Sequence, residues 1–582
     1  MATYWIAASG EYALNQAGPF CHSPNVLYYS FHDLRHTAVM NTLPDLSQLT
    51  HEQLLEFTRQ LAMQHQSLAQ SKQQLEQSNQ QLDARVQHLE VTNQQLDSKV
   101  QHLSILTQKY EHELALFKKH KFGSKNEHLT AKQIHLWDEA VEEDIAAVDL
   151  ELERLNTATQ KATVNKPKRR RLPDHLPTLR IEHEPASTQC SCGCQLRRIG
   201  EDISEKLNFR PAQFYKEQHI RGKWVCDQCD TLTQQAMPAY VIEKGIATPA
   251  LLSHVLVSKY ADHLPLYRQR QIFLRAGVDL SRSTLSDWIG RCGVELERLT
   301  DALKKVVLQQ QVIHADETPV TIMQMGDDEK KPKKGYVWAY ATTQYNSVQA
   351  VVYDFQDSRS GQHAEEFLKG WQGHLVCDDY SGYKARFNSG QIIEVGCMAH
   401  ARRKFHELHV TGKSQIAEQA LLLIQKLYTI EAELRKNKDS TAEQRYKYRQ
   451  QHSQPVMQQL YEWLTQHQLA VPSSSATAKA INYSLKRWQA LNRYLDDGHL
   501  PIDNNWVENQ MRPWALGRKN WLFAGSLRSG QRAANIMTLI QSAKLNGLDP
   551  YAYLRDVLKR LPTHKVTEIE DLLPHRWKPE PS

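Results

Sequence analysis

Leucine recurs at every seventh residue eight times in succession, at Leu54, Leu61, Leu68, Leu75, Leu82, Leu89, Leu96 and Leu103. A straight helix drifts by about 20° per heptad, so only supercoiling against a partner keeps so long a stripe in contact. With these leucines at d, the central a positions are Asn79, Val86, Asn93 and Val100. Valine and a buried asparagine opposite leucine favour a parallel two-stranded coil. The segment NQQLD-x2-VQHL starts at Asn79 and again at Asn93, so the period is repeated in the residues themselves. Residues 40–120 are therefore expected to form a leucine-zipper coiled coil and the protein a homo-oligomer, in its simplest form a dimer. The competing reading is an amphipathic helix laid on the protein's own core.

A chain of 582 residues has room for three to five domains of about 100–200 residues. It is 41% hydrophobic and 23% charged and has no 18-residue apolar run, which excludes a bilayer-spanning helix. Nine cysteines are too few for a disulfide framework, and no secretory leader pattern opens the chain, so a cytoplasmic location with reduced thiols is expected. Residues 1–39 are aromatic, poor in charge and without period, and are expected to be a non-native extension ahead of Met40.

After an acidic helical stretch, Asp138 to Glu153, residues 121–174 end in the basic run Lys166-Pro-Lys-Arg-Arg-Arg171, a linker suited to the phosphate backbone or to solvent alone. Five of the nine cysteines then fall in one window. Cys226 and Cys229 form a C-x-x-C knuckle, while Cys190, Cys192 and Cys194 offer three thiols for two remaining places. Residues 175–240 are read as a domain holding a structural Zn²⁺ on four of these five sulfurs, the alternative being small buried thiols. Residues 241–302 resemble a helix-turn-helix: Ala276-Gly277-Val278 makes the turn and Ser281 caps a helix that could read DNA or merely pack.

From about residue 303 the texture changes. Runs at 311–316, 335–341 and 348–354 read as strands, 361–371 as a helix, 374–378 and 392–396 as further strands, and 398–405 as a basic helix. That order, with Asp316 on the first strand and Asp378 at the end of the fourth, fits an RNase H-like sheet that brings both carboxylates together. Glu508, in Asp503-Asn-Asn-Trp-Val-Glu-Asn-Gln-Met-Arg512, supplies a third acid near a helix start capped by Asp or Asn. Phosphodiester cleavage needs oxygen ligands for two Mg²⁺ (or Mn²⁺) ions about 4 Å apart, and Asp, Asp and Glu from separate elements are that set. Only 62 positions separate Asp316 from Asp378, but 130 separate Asp378 from Glu508, which predicts a helical insertion at 411–498. Arg402, Arg403 and Lys404, then Arg512, Arg518 and Lys519, flank the acids as candidate phosphate contacts. Trp514 and Trp521 offer flat faces for unstacked bases, although Trp521 could equally be core. His400 is a candidate auxiliary residue that positions DNA or supports the acids; with Cys397 it could ligate a metal, but two ligands do not make a site, and the plain reading is a histidine satisfied within its helix.

His314-Ala-Asp-Glu-Thr-Pro-Val320, Asp378-Asp-Tyr-Ser-Gly-Tyr383, Gly396-Cys-Met-Ala-His-Ala-Arg-Arg-Lys-Phe405 and the stretch from Asp503-Asn-Asn to Gly525-Ser526 carry a resemblance to transposases of the bacterial insertion-sequence 66 family. The likeness extends over nearly everything from Met40, including Phe122-Gly-Ser-Lys125 and Ser258 to Tyr267. It implies DNA transposition by a DDE triad of Asp316, Asp378 and Glu508, on element ends and target DNA, near the nucleoid, with small accessory transposition proteins as candidate partners. The family usually has Gly after its second Asp, whereas Asp379 stands here. Adjacent strand residues face opposite sides, and Asp378 is the expected ligand. The whole reads as a multidomain α/β protein: coiled coil, cysteine-rich zinc domain, helical region, an RNase H-like core in two parts (303–410 and 499–545) around the insertion, and a C-terminal tail (546–582). Two other functions share these features: a zipper and zinc DNA-binding protein with an inactive nuclease fold, and an RNase H-like nuclease or resolvase.

Overall fold

The computed structural model describes residues 50–122, 139, 142–152, 172–210, 213–323, 332–388, 390–412, 414–437 and 440–580. The expected extension at 1–39, the basic run at 166–171 and the Gly-Ser-Lys of residues 123–125 lie outside them. The chain divides into two units, Met1–Lys99 and Val100–Ser582. The heptad segment is one uninterrupted helix, α1 (His51–Phe122). Its leucine stripe is exposed, Leu68 to 70% and Leu75 to 64%. No helix among the described residues is long and apolar enough to cross a membrane.

In the second unit, residues 142–152 form a short helix, α2. A four-stranded sheet follows, with β1 (Thr178–His183) parallel to β3 (Gln213–Val225), and β2 (Arg197–Arg210) and β4 (Leu232–Gln234) antiparallel to it. Three helices come next, α3 (Pro249–Tyr260), α4 (Leu266–Arg275) and α5 (Arg282–Leu308). Ser281 does cap α5, accepting from Thr284 N–H at 3.0 Å. Yet α5 is buried along its length, at Leu285, Trp288, Ile289, Cys292, Leu296, Leu299 and Leu303. Along these positions the helix packs, while Ser281 and Ser283 at its start are exposed.

The larger sheet runs β7-β6-β5-β8-β9. β5 (Val312–Ile322), β6 (Lys333–Thr342) and β7 (Val351–Gln356) are antiparallel, and β8 (Gly373–Cys377) and β9 (Ile392–Gly396) join parallel to β5. The expected order holds, with one element added. Between α6 (Gly361–Phe367) and β9, a seven-residue helix, α7 (Ser381–Phe387), follows β8. The predicted insertion is helical: α8 (Met398–Gly412) leads into α9 (Gln415–Lys436), α10 (Ala442–Ala470), α11 (Ala476–Lys486) and α12 (Trp488–Asn492). The chain then returns through α13 (Asn505–Trp521), α14 (Leu527–Leu545) and α15 (Pro550–Arg560). The C-terminal segment packs on the protein: within residues 546–580, α15 buries Tyr553, Leu554, Val557 and Leu558 in the main core.

The sheet separates two cores, and strand parity decides which side chain enters which. Val312 and Val376 join α8 to α11 in one cluster, whereas Ile313, Ala315, Leu375 and Cys377 join α5, α13 and α14 in the other. β7 would be an open edge, but Thr538 Oγ1 and Ser542 Oγ of α14 accept from Tyr353 N–H (2.9 Å) and Val351 N–H (3.1 Å), which blocks further strand pairing. The acidic α2 has a packing role: Asp144 pairs with Arg532 and Glu143 with Lys259, all buried or nearly so, while Arg528 meets Glu151 at 2.8 Å and Glu113 of α1 at 2.9 Å.

The insertion is fixed by Arg449 on α10, which is fully buried. It donates to both oxygens of Glu431 (2.7 and 2.9 Å) and to the carbonyls of Tyr494 (3.0 Å) and Leu500 (2.8 Å). Removing one member of a buried pair leaves its partner charge uncompensated, at about 3–5 kcal/mol. Arg449→Ala is expected to lower the melting temperature sharply by calorimetry, and Arg449→Met with Glu431→Leu to recover most of the loss. Equal melting of Arg449→Ala and the unaltered chain would rule out this anchoring role.

Candidate active site

Asp316 stands four residues into β5 from Val312, and Asp378 four residues beyond His374, the strand partner of Val312. The two acids therefore sit at equal offsets along adjacent parallel strands, Asp316 within β5 and Asp378 just past the carboxyl end of β8. Parity places Asp316 on the face of Val312 and Asp378 on the face of Val376, both toward α8. Glu508 lies in the first turn of α13 and approaches α8 from the other side: His400 Nδ1 is 3.7 Å from its Oε1 and Arg403 Nη2 is 3.6 Å from its Oε2. Burial, then the charges of Glu317, Glu508 and Asp378, push the Asp316 carboxyl well above the usual carboxylate range. Three acids from three elements thus act on one another, and the combination favours a bound cation.

Asp379 is engaged elsewhere, 2.8 Å from Lys384 Nζ and 3.1 Å from Arg487 Nη1. Asp378 Oδ1 accepts from Tyr380 N–H at 2.9 Å, which shapes the turn after β8. Glu317, absent from the sequence reading, faces the opposite core. There it pairs with Arg359 and accepts from Tyr383 Oη at 3.1 Å. Strand alternation after Asp316 was the signal that it would do so.

Asn504, expected with its neighbours only as a helix cap, has a different role. It is fully buried at the N-cap of α13, but its side chain does not cap. Its Nδ2 donates to Ala315 O at 2.9 Å, its Oδ1 meets His314 Nδ1 at 2.8 Å, and its N–H donates to Cys397 Sγ at 3.1 Å. Its carbonyl accepts from Glu508 N–H at 3.2 Å. Burial pulls His314 down to about 4, so the imidazole is neutral and donates from Nδ1. One asparagine thereby ties the strand of Asp316, the helix of His400 and the helix of Glu508. Asp503 supports the same helix start by accepting from Asn505 N–H (3.1 Å) and Tyr428 Oη (2.9 Å).

The expected DNA contacts divide. Arg403, Lys404, Arg512 and Lys519 are exposed and Arg402 is partly so. Arg518 is turned inward, donating to Thr318 Oγ1 (3.2 Å) and Pro319 O (2.9 Å) of β5. Trp514 is 1% exposed, packed on Tyr353, and offers no face for a base. Trp521 is partly buried against it, ring centroids 5.6 Å apart.

The second cluster is the cysteine set. β2 pairs with β3 so that Arg197 faces Val225, which brings the residues before β2 beside those after β3. Cys190, Cys192, Cys226 and Cys229 place their sulfurs within 4.8 Å of one another. The separations 190 to 229, 192 to 226 and 192 to 229 are 3.2, 3.6 and 3.7 Å. Tetrahedral sulfurs about 2.3 Å from zinc lie about 3.8 Å apart, so the set fits structural Zn²⁺ with no open position. Cys194 turns away and donates to Gln228 Oε1 at 3.0 Å, resolving the ligand choice that spacing had left open.

Four family models match this chain. They are described as "Transposase IS66 family" (residues 244–532), "IS66 C-terminal element" (538–575), "zinc-finger binding domain of transposase IS66" (187–230) and "Transposase C of IS166 homeodomain" (109–181). Among curated proteins, uncharacterised protein y4qI of Sinorhizobium fredii is 36% identical over 484 residues, 80% of this chain and 88% of its own. Uncharacterised protein y4jD of the same organism is 40% identical over 422 residues, 70% and 81% of the respective chains.

Two expectations follow from these geometries. Cys194→Ser should keep one zinc per chain by atomic absorption, whereas serine at Cys190, Cys192, Cys226 or Cys229 should lose it; zinc loss in Cys194→Ser alone would reject the assignment. An acid whose folded pKa lies above its unfolded value costs stability as pH rises past the unfolded value, and the cost is complete above the folded one. Asp316→Asn should therefore raise the melting temperature at pH 8 in buffer lacking Mg²⁺, with the gain shrinking toward pH 4. A gain that grows on acidification would contradict the sign.

Proposed function

The chain belongs to the IS66 transposase family, and from that premise we propose that it cuts and joins DNA strands at the ends of its element through Asp316, Asp378 and Glu508. The observation that carries this reading is electrostatic: the charges of Glu508 on α13 and of Asp378 just past β8 both act on Asp316 of β5, and exposed arginine and lysine stand on the neighbouring α8 and α13. The sheet order and the acid positions on its central strands support an RNase H-like core. The three carboxylates would hold two Mg²⁺ ions, which, when bound, activate an attacking oxygen and stabilise the leaving one. The donor set suits hard cations: Asp316 is burdened by like charge, and Glu508 Oε1 is buried without a hydrogen-bond partner.

The chain's own residues do the rest. Asn504 holds Asp316 and Glu508 in mutual register. Arg403, Lys404, Arg512 and Lys519 offer phosphate contacts whose strength falls with salt. The cleft between β9 and α11, lined by Lys384, Lys479, Lys486, Arg487 and Arg493, encloses about 730 Å³ beside Asp379 and gives the insertion a backbone-binding role. The exposed leucine stripe of α1 is covered by a second copy of the chain, so that two catalytic units act on two element ends.

The decisive measurement is nicking of duplex DNA carrying the sequences that flank the coding region, with Mg²⁺ or with EDTA. Asp316→Asn, Asp378→Asn and Glu508→Gln should each lower the rate at least about 100-fold, the scale of losing one group that stabilises developing charge. Asp379→Asn should retain cleavage. Full activity in Asp378→Asn with none in Asp379→Asn would overturn the triad, and binding without any cutting would leave a DNA-binding protein.

A further inference from the structure

His400 and Glu508 face one another in a way that hydrogen bonding does not explain. At 3.7 Å, His400 Nδ1 and Glu508 Oε1 are beyond hydrogen-bond reach. Both atoms are buried and have no hydrogen-bond partner in the structure. A buried polar atom left unpaired is costly, and here two such atoms point at the same gap. Ligand atoms each about 2.1 Å from a shared cation lie about 3.0–3.4 Å apart, so a small closure would seat one ion between them. Asp378 is close enough for its charge to be felt at His400.

Cys397 lies within the same 4.8 Å cluster. It is not a ligand on this geometry. Its sulfur already accepts from Asn504 N–H at 3.1 Å. Its part is to hold Asn504, while His400, one turn further along α8, is left facing Glu508.

We propose that His400 Nδ1 is a direct ligand of the divalent cation held by Glu508, making this a mixed nitrogen and oxygen site rather than one of carboxylates alone; the inference rests on the metal-dependent reading above. An imidazole ligand disfavours Mg²⁺, which prefers oxygen and gives up water reluctantly, relative to later divalent ions. Mn²⁺ should thus bind more tightly than Mg²⁺, and Zn²⁺ should compete with both.

The test reads the ligand directly. Full-length, untagged, zinc-loaded protein is titrated with Mn²⁺, and the electron spin-echo modulation of the bound ion is recorded. A ¹⁴N modulation from one imidazole is expected, shifting to the ¹⁵N pattern when histidine is ¹⁵N-labelled. It should vanish in His400→Gln, with Mn²⁺ still bound at least about tenfold more weakly, a loss that even outer-shell partners produce. The spectrum of the unaltered protein is decisive even if that variant does not fold. Bound Mn²⁺ without nitrogen modulation, or modulation surviving His400→Gln, overturns this inference and leaves the carboxylate reading standing. Absence of any Mn²⁺ binding sensitive to Asp316→Asn overturns both.

Discussion

Carboxylates repel, and the centre of this protein holds four of them close together. Asp316, Glu317, Asp378 and Glu508 would separate in a chain free to relax, since like charges at short range in a partly buried site raise one another's proton affinity. Two arrangements keep them in place. Strand alternation divides Asp316 from Glu317, and Arg359 neutralises Glu317 on its own side of the sheet. Asn504 then joins β5, α8 and α13 through four hydrogen bonds that carry no net charge. The neutral clamp leaves the negative potential of the acid cluster intact for a cation.

Charge is handled differently away from that centre. Arg449 and Glu431 neutralise each other inside the insertion, and Asp144 with Arg532 does the same where α2 meets α14. Such pairs are costly to desolvate and fix geometry more than they add stability. Their placement is informative: each secures an element attached late or early in sequence to the sheet that carries the acids. The insertion therefore forms a second core on the sheet face toward which Asp316 and Asp378 point, and α8 reaches Glu508 from that core with His400 and Arg403.

The zinc cluster follows the same logic on a smaller scale. A sheet with one long antiparallel pair, β2 and β3, cannot by itself fix the loops at its end. Four thiolates on one ion do so, and the register of Arg197 opposite Val225 brings the two cysteine pairs within reach.

What the residues determined alone was whatever repeats or alternates. The heptads, the β-rich run from 311, the C-x-x-C pair and the helical insertion were all readable, because periodicity and ligand chemistry act at short range. The tertiary structure decided what depends on which face meets which. It turned Arg518 and Trp514 inward, made α5 a core helix, packed residues 546–580 onto the main core, excluded Cys194 from the sulfur set and gave Asn504 its place at the centre. Burial and pairing of a side chain are set by elements hundreds of positions away, and no local pattern encodes the contact between Asn504 and a strand 189 residues earlier.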